Sequence, residues 1–308
     1  MEHIQTLNEI QLSQPSIVTV GMFDGVHRGH QVLVNRLVEE AHSSNRAAVV
    51  LTFFPHPDVV IRNVTGPYYL TSPETRARLL GDLGVDVVVS HPFNDTVRQI
   101  RAAEFVDQLC QYLNLSALWA TADFALGYKR EGTIDFLRSQ GKEKGFSVET
   151  IELLLDEGSH EPISSNTIRE ALKAGDVAKA ADYLGRPYRL SGEVILGQQR
   201  GRTIGFPTAN MDVWSDQLLP DIGVYATLAH LGDETILSVT NIGKRPTFDG
   251  EGITVEAHLL DFDHDFYGET LQLDFVERLR GEVKFSGIDA LVAQIRQDVE
   301  DGRKILQS

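Results

Sequence analysis

One cysteine, Cys110, in 308 residues excludes an internal disulfide and a metal site built from several thiolates. It lies in EFVDQLCQYL, an amphipathic helical pattern, so a small, buried apolar role is expected for it. Long apolar runs are also missing, and the opening MEHIQTLNEI has neither the basic nor the apolar region of a secretory leader. The expectation is a cytoplasmic protein with no membrane partner. Positive charge is scarce too: 44 acidic residues face 28 basic ones, for a formal net charge of −16. Divided after Arg186, the chain holds 17 basic against 24 acidic residues, then 11 against 20. Neither part is a basic module, which excludes sequence-independent binding to nucleic acid. No low-complexity tract and no internal repeat occurs.

What is present is the composition of a globular chain, 42% hydrophobic and 23% charged, with length enough for two domains. Through residue 151 apolar runs alternate with helical patterns. IVTV, AAVVLTFF, VDVVVS, ALWA and FSVETI read as strands. QVLVNRLVEEAH, TSPETRARLLGDLG, AAEFVDQLCQYLNL and TIDFLRSQGKEKG read as helices. Thr71 stands three residues before Glu74, the spacing of a capping box. Strands joined by crossover helices predict a parallel sheet covered on both faces. Two helical stretches, NTIREALKAG and VAKAADYLG, follow. Past GRPYRLSGEV the runs alternate in polarity between Gly, Asp and Pro turns: YRLSGEVI, GVYATLAHL, TILSVTNIG, ITVEAHLLDF and TLQLDFVERL. These predict an antiparallel barrel or sandwich, closed by a helix with Ile288, Leu291, Ile295 and Val299 on one face. The expected boundary falls at Arg186 to Tyr188.

GMFDGVHRGH, Gly21 to His30, sits in the turn after the first apolar strand. In a doubly wound sheet that turn meets a helix N-terminus, where free backbone N–H groups bind anions and glycines admit a phosphate. His27 and His30 add ring donors for charge on a phosphate undergoing displacement. A zinc pair is the weaker reading, because further ligands and an HExxH arrangement are absent. GQQRGRTIGFPTAN is a glycine-rich loop with Arg200 and Arg202, suited to wrapping a polyphosphate, and it lacks the GK[ST] ending of a Walker A loop. Thr208 and Asn210 offer oxygen ligands for Mg2+ held mainly by ATP phosphates. Alternation along ITVEAHLLDF puts Glu256 on one face with Thr254 and His258.

GxFDGVHxGH, TFFPHP and ISSNTIR resemble the adenylyltransferase half of the bacterial bifunctional riboflavin kinase/FMN adenylyltransferases. GRTIGFPTAN, LLPDIGVYA, NIGKRPTF, VEAHLLDF, DFYGE and LRGEVKF are similar, in order, to the kinase half. The resemblance covers nearly the whole chain. It implies an α/β Rossmann-like nucleotidyltransferase domain, residues 1–186, then an antiparallel β-barrel riboflavin kinase domain, residues 187–308, with a C-terminal helix. The implied substrates are riboflavin, FMN and ATP, with Mg2+, in a monomer or weak homo-oligomer. The implied base is Glu256, acting on the ribityl 5′-hydroxyl. Gly201, Arg202 and Gly205 would hold nucleotide phosphates, Thr208 and Asn210 the metal, and Arg280 the flavin.

In the first half the resemblance implies that His27 and His30 stabilise the transition state within a site formed by Gly21, Phe23, Asp24 and Gly29. Ser164, Ser165 and Arg169 would hold the triphosphate, with Asp123 near the adenylyl site. The chain departs from the family's GxDFRFG at Thr121, Ala125 and Leu126, and from its ISSTxIR at Asn166. The alternative function is therefore a riboflavin kinase with a weakened or inactive adenylyltransferase half. From another class, a non-catalytic flavin- or nucleotide-binding regulator has no need of a base such as Glu256.

Overall fold

The computed structural model describes residues 1–152, 155, 162–197, 201, 204–247 and 250–307; at 245–247, 250 and 251 it describes the backbone alone. The chain forms two compact units, Met1–Ser164 and Ser165–Ser308.

The first unit runs β1 (Glu2–Ile4), β2 (Ser16–Val20), α1 (Arg28–Ser43), β3 (Ala47–Phe54), α2 (Pro57–Arg62), α3 (Pro73–Asp82) and β4 (Val87–Pro92). It continues with α4 (Asp95–Arg98), α5 (Ala102–Leu113), β5 (Leu115–Thr121), a hairpin of β6 (Ala125–Leu126) and β7 (Gly132–Thr133), α6 (Ile134–Lys144) and β8 (Ser147–Ile151). Six strands make a parallel sheet in the order β1-β4-β3-β2-β5-β8. β2 is buried along its whole length and β3 along its first six residues, as continuous apolar runs covered on both faces require.

On one face Val18, Val49, Leu51 and Leu118 pack with Phe105, Val106 and Leu109 of α5 and Leu137 of α6. On the other, Val50 and Val88 meet Leu33 and Val34 of α1 and Ala77 and Leu80 of α3. Each buried Val, Leu or Phe among them contributes roughly 1.5–3 kcal/mol. Cys110 packs against the α5 side of this core, and burial pushes its thiol pKa up, which suits an unreactive packing role. The expected cap of α3 is displaced by one residue. Ser72, not Thr71, caps it, its Oγ accepting from the Thr75 N–H at 3.1 Å, with Pro73 in the first turn.

The second unit begins with α7 (Ser165–Lys173) and α8 (Val177–Leu184). The strands β9 (Tyr188–Ile195), β10 (Ala209–Val213), β11 (Gly223–Leu231), β12 (Glu234–Thr247), β13 (Gly250–Leu259) and β14 (Thr270–Arg280) precede α9 (Ile288–Leu306). The strands close into an antiparallel barrel, β10-β13-β12-β11-β14-β9, rather than a sandwich. Leu190, Val194, Met211, Tyr225, Ala257, Leu271, Leu273 and Phe275 are buried, and alternation puts the intervening residues on the outer face. α9 covers part of that face, with Val299 against Val224, Val239 and Leu260. α8, just before the expected boundary, packs on β14 and β9 in this unit. Arg278 ties the pieces together, donating from Nη1 to the Ala174 carbonyl at 3.1 Å and from Nη2 to Asp221 at 2.7 Å.

Candidate functional sites

β2 lies between β3 and β5, so the turn after β2 opens at the switch point of the sheet. This is where ligands bind in doubly wound folds. Backbone conformations there are costly: Phe23, Gly25 and Val26 all have φ between 43° and 82°, which internal bonds must offset. The fully buried carboxylate of Asp24 supplies them. It accepts from the N–H groups of Leu70 and Thr71 at 3.1 Å and the Thr71 hydroxyl at 3.2 Å, and pairs with buried Arg76 at 3.4 Å. Arg76 also donates to Thr52, whose hydroxyl donates to the Met22 carbonyl at 2.8 Å. Asp24 thus holds the turn's shape, and Thr71, released from capping, serves the same network.

His27 is the N-cap of α1: its Nδ1 accepts the His30 N–H at 3.4 Å. An accepting Nδ1 puts the ring proton of neutral His27 on Nε2. The two imidazoles stack with centroids 3.6 Å apart, and Phe23, itself buried, brackets His30 at 4.9 Å. Burial first, then His27 and Arg76, hold the His30 pKa well below the ordinary histidine value. His30 is therefore a neutral imidazole at pH 7, and its Nδ1 is buried without a hydrogen-bond partner among the described residues. The glycines of the turn have a concrete steric reason. A Cβ on Gly29 would press the His27 ring at 3.2 Å, and one on Gly21 would overlap Phe23 at 2.9 Å.

Of the remaining first-half candidates, Ser164 follows Ile163, whose carbonyl would lie 3.5 Å from a Cβ on Gly29. His56 caps α2 through Nδ1, 3.0 Å from the Asp58 N–H. Asp123 is exposed, and its carbonyl accepts from Arg130 at 2.7 Å. Leu126, one of the departures from the family pattern, is buried in the core beside α5. Ser164 is half-buried, Ser165 opens α7, and buried Arg169 donates from Nη1 to the Asn166 Oδ1 at 2.9 Å. Asn166, the departure in ISSNTIR, thus supplies an acceptor to that arginine.

On the barrel, register gathers the second-half candidates. Asn210 is the cross-strand partner of Glu256, Glu256 of Asn241, Asn241 of Val224, and Val224 of Arg280. These residues form one row across the outer face, neighbours spaced by about 4.8 Å between strands. At one end the Thr208 Oγ donates to the Glu256 Oε2 at 3.4 Å. There too the Asn210 amide lies against Gly197, where a Cβ would sit 2.1 Å from Nδ2. Gly201 and Gly205 frame a tight turn. The Phe206 N–H donates to the Gly201 carbonyl at 2.8 Å, and Gly205 has φ of 87°. Arg202 lies outside the described residues.

Beside Thr208 opens a pocket of about 380 Å³ lined by Pro207, Phe262, His264, Phe266 and Tyr267; of these only His264 lies outside the strands and motifs read from the sequence. At the row's other end Arg280 is held by the buried carboxylate of Asp298 on α9, Nη2 to Oδ2 at 2.8 Å and Nε to Oδ1 at 3.0 Å, with Phe285 under its guanidinium at 5.7 Å. Among the described residues no cluster of His, Cys, Asp and Glu has a metal-binding arrangement. Thr208 and Asn210 each carry a side-chain oxygen of the type a hard cation takes.

Comparisons with known proteins agree with this geometry. A family model described as FAD synthetase matches residues 9–167, and one described as riboflavin kinase matches residues 184–306. The bifunctional riboflavin kinase/FMN adenylyltransferase of Listeria monocytogenes is 36% identical over 93% of this chain and 91% of its own length. That of Haemophilus influenzae is 37% identical over 98% and 97%. A solved structure described as a macrolide-efflux protein from Streptococcus pneumoniae has a TM-score of 0.87 and 31% identity, covering 98% of both chains. No helix among the described residues here is long and apolar enough to cross a membrane. Fold and site together define a transferase with an α/β nucleotidyltransferase-type unit and a riboflavin kinase-type barrel. The chain belongs to the bifunctional riboflavin kinase/FMN adenylyltransferase family.

Proposed function

We propose that the chain carries both activities of its family: ATP-dependent phosphorylation of riboflavin to FMN, and adenylylation of FMN to FAD with release of pyrophosphate. The observation that carries the kinase reading is the single row from Asn210 through Glu256 to Arg280. The aromatic pocket beside Thr208 suits the base of ATP, leaving its phosphates next to Thr208, Asn210 and the Gly201–Gly205 turn. Mg2+ fits the Thr208 hydroxyl and Asn210 amide, a small oxygen set that leaves most ligand positions to phosphate and water. When bound, it neutralises charge on the phosphates. Glu256 accepts the proton of the ribityl 5′-hydroxyl. Among the described residues it accepts one hydrogen bond, from Thr208 at 3.4 Å, so lone pairs remain for that proton. Arg280, fixed by Asp298, and exposed Val283 and Ile288 suit the flavin end of the row.

At the turn after β2, the FMN phosphate attacks the α-phosphorus of ATP and pyrophosphate leaves. His27 and His30 donate ring N–H groups to the charge that builds on the phosphorus oxygens, and Asp24 keeps the turn in shape. The resemblance assigns Ser164, Ser165 and Arg169 to the triphosphate and Asp123 to the adenylyl side, and this reading keeps those assignments. The core position of Leu126 and the Asn166–Arg169 bond support retention of the activity despite the altered motifs. The same reading takes 1–186 and 187–308 as the two functional domains of a cytoplasmic monomer or weak homo-oligomer. Incubation with riboflavin, ATP and Mg2+, with the flavins resolved over time, is expected to give FMN and then FAD. Absence of FMN would overturn the proposal.

A further inference from the structure

The row on the barrel has a member, the first residue of NIGKRPTF, to which no role has been given. Asn241 is the direct cross-strand neighbour of Glu256 on the side away from Asn210. Directly opposed residues hold their Cβ atoms about 4.5–5.5 Å apart, so Glu256 stands between two carboxamides on one face. Asn210 and Thr208 belong to the phosphate side, next to the glycine turn and the aromatic pocket. Beyond Asn241 the row continues to Val224, which is covered by α9, and then to Arg280. Asn241 is therefore the last open position between the base and the covered, Arg280 end.

Two further observations concern its carboxamide. Gly243, two residues on and on the same face, leaves the space it fills: a Cβ there would meet the Asn241 Nδ2 at 2.9 Å. Among the described residues the carboxamide of half-buried Asn241 makes no hydrogen bond. A half-buried amide with both its donor and acceptor unengaged, beside a general base, is suited to a polar ligand.

We propose that Asn241 is the positioning residue on the acceptor side of the kinase site, hydrogen-bonding the polyol chain of the flavin and holding its terminal hydroxyl at Glu256. This rests on the reading of Glu256 as the base. In the step it serves, the acceptor oxygen forms a bond to the γ-phosphorus while its proton passes to the Glu256 carboxylate. The bond from the γ-phosphorus to the β,γ-bridging oxygen breaks, and its electron pair leaves with ADP.

The test uses the full chain in a riboflavin kinase assay with Asn241→Ala, Asn241→Asp, Gly243→Ala and Glu256→Gln. Asn241→Ala is expected to lower kcat/KM for riboflavin about 30-fold, within the ~10²-fold that a 1 Å misplacement costs, with KM for ATP within about twofold of wild type. Gly243→Ala should give a weaker defect of the same riboflavin-selective kind. Asn241→Asp sets a second carboxylate beside Glu256, so the acid limb of the kcat profile should move to higher pH, as like charges dictate. An inactive Glu256→Gln with Asn241→Ala unchanged in kcat/KM for riboflavin overturns the inference alone, as does an equal loss toward ATP and riboflavin. An active Glu256→Gln overturns the reading of the base on which it rests.

Discussion

In the turn after β2, polar side chains are bonded within the turn's own network: Asp24 to the Leu70 and Thr71 N–H groups and to Arg76, Arg76 to Thr52, and His27 to the His30 N–H at the start of α1. Across the barrel, Glu256 accepts one hydrogen bond among the described residues, from Thr208 at 3.4 Å, and its cross-strand neighbours are set by strand register. The loop site must be wired internally because loops do not fix their own geometry. The strand site inherits its spacing from the sheet, so its polar groups can stay open to substrate. One consequence is that damage should be confined: substitutions at one site are expected to spare the chemistry of the other.

The largest expected effect is on the open row. Glu256→Gln should cut FMN formation by about 10²–10⁴-fold, the usual worth of a positioned base, while supplied FMN is converted to FAD at the wild-type rate. Next is His30→Ala, expected to slow FAD formation by about 10²–10³-fold, the cost of losing one donor to a charged transition state. Quantifying both flavins in each variant checks the pair.

The wiring itself breaks with Arg76→Ala. The buried Asp24 carboxylate loses its partner, and the first unit should lose roughly 3–5 kcal/mol, read from denaturant unfolding, with riboflavin phosphorylation retained wherever the barrel remains folded. The smallest effect concerns pH. His30 is held well below its ordinary value of 6.5 by burial, and His91 is lowered for the same reason. The unfolded state therefore binds more protons below about 6.5, so stability is present above that pH and declines as pH falls toward the folded values. Melting temperatures between pH 7.5 and 5 should show this decline, made shallower in His30→Gln.

Much of this was legible in the residues. The parallel sheet followed from apolar runs alternating with helical patterns, and all five of those runs became strands. β1, the β6–β7 hairpin and β10 were missed because two to five residues carry no readable period. For β10 the loop-like FPTAN chemistry concealed Ala209–Val213. Alternation put Glu256 on one face with Thr254 and His258, but its neighbours Asn210 and Asn241 depend on register, which pairs residues far apart in sequence.

In the first unit the motif suggested a ligand role for Asp24, and only the fold brings Leu70, Thr71 and Arg76 to its carboxylate. Gly29 was read as backbone room for a phosphate. The nearest claim on that space is the His27 ring.

The central claim is that two separate chemistries share one chain. It is tested most directly by following riboflavin, FMN and FAD over time, with ATP and Mg2+, in wild type, Glu256→Gln and His30→Ala. The prediction is riboflavin to FMN to FAD in wild type, FMN accumulating in His30→Ala, and FAD formed in Glu256→Gln only when FMN is supplied. Loss of both steps together in either folded variant would contradict it.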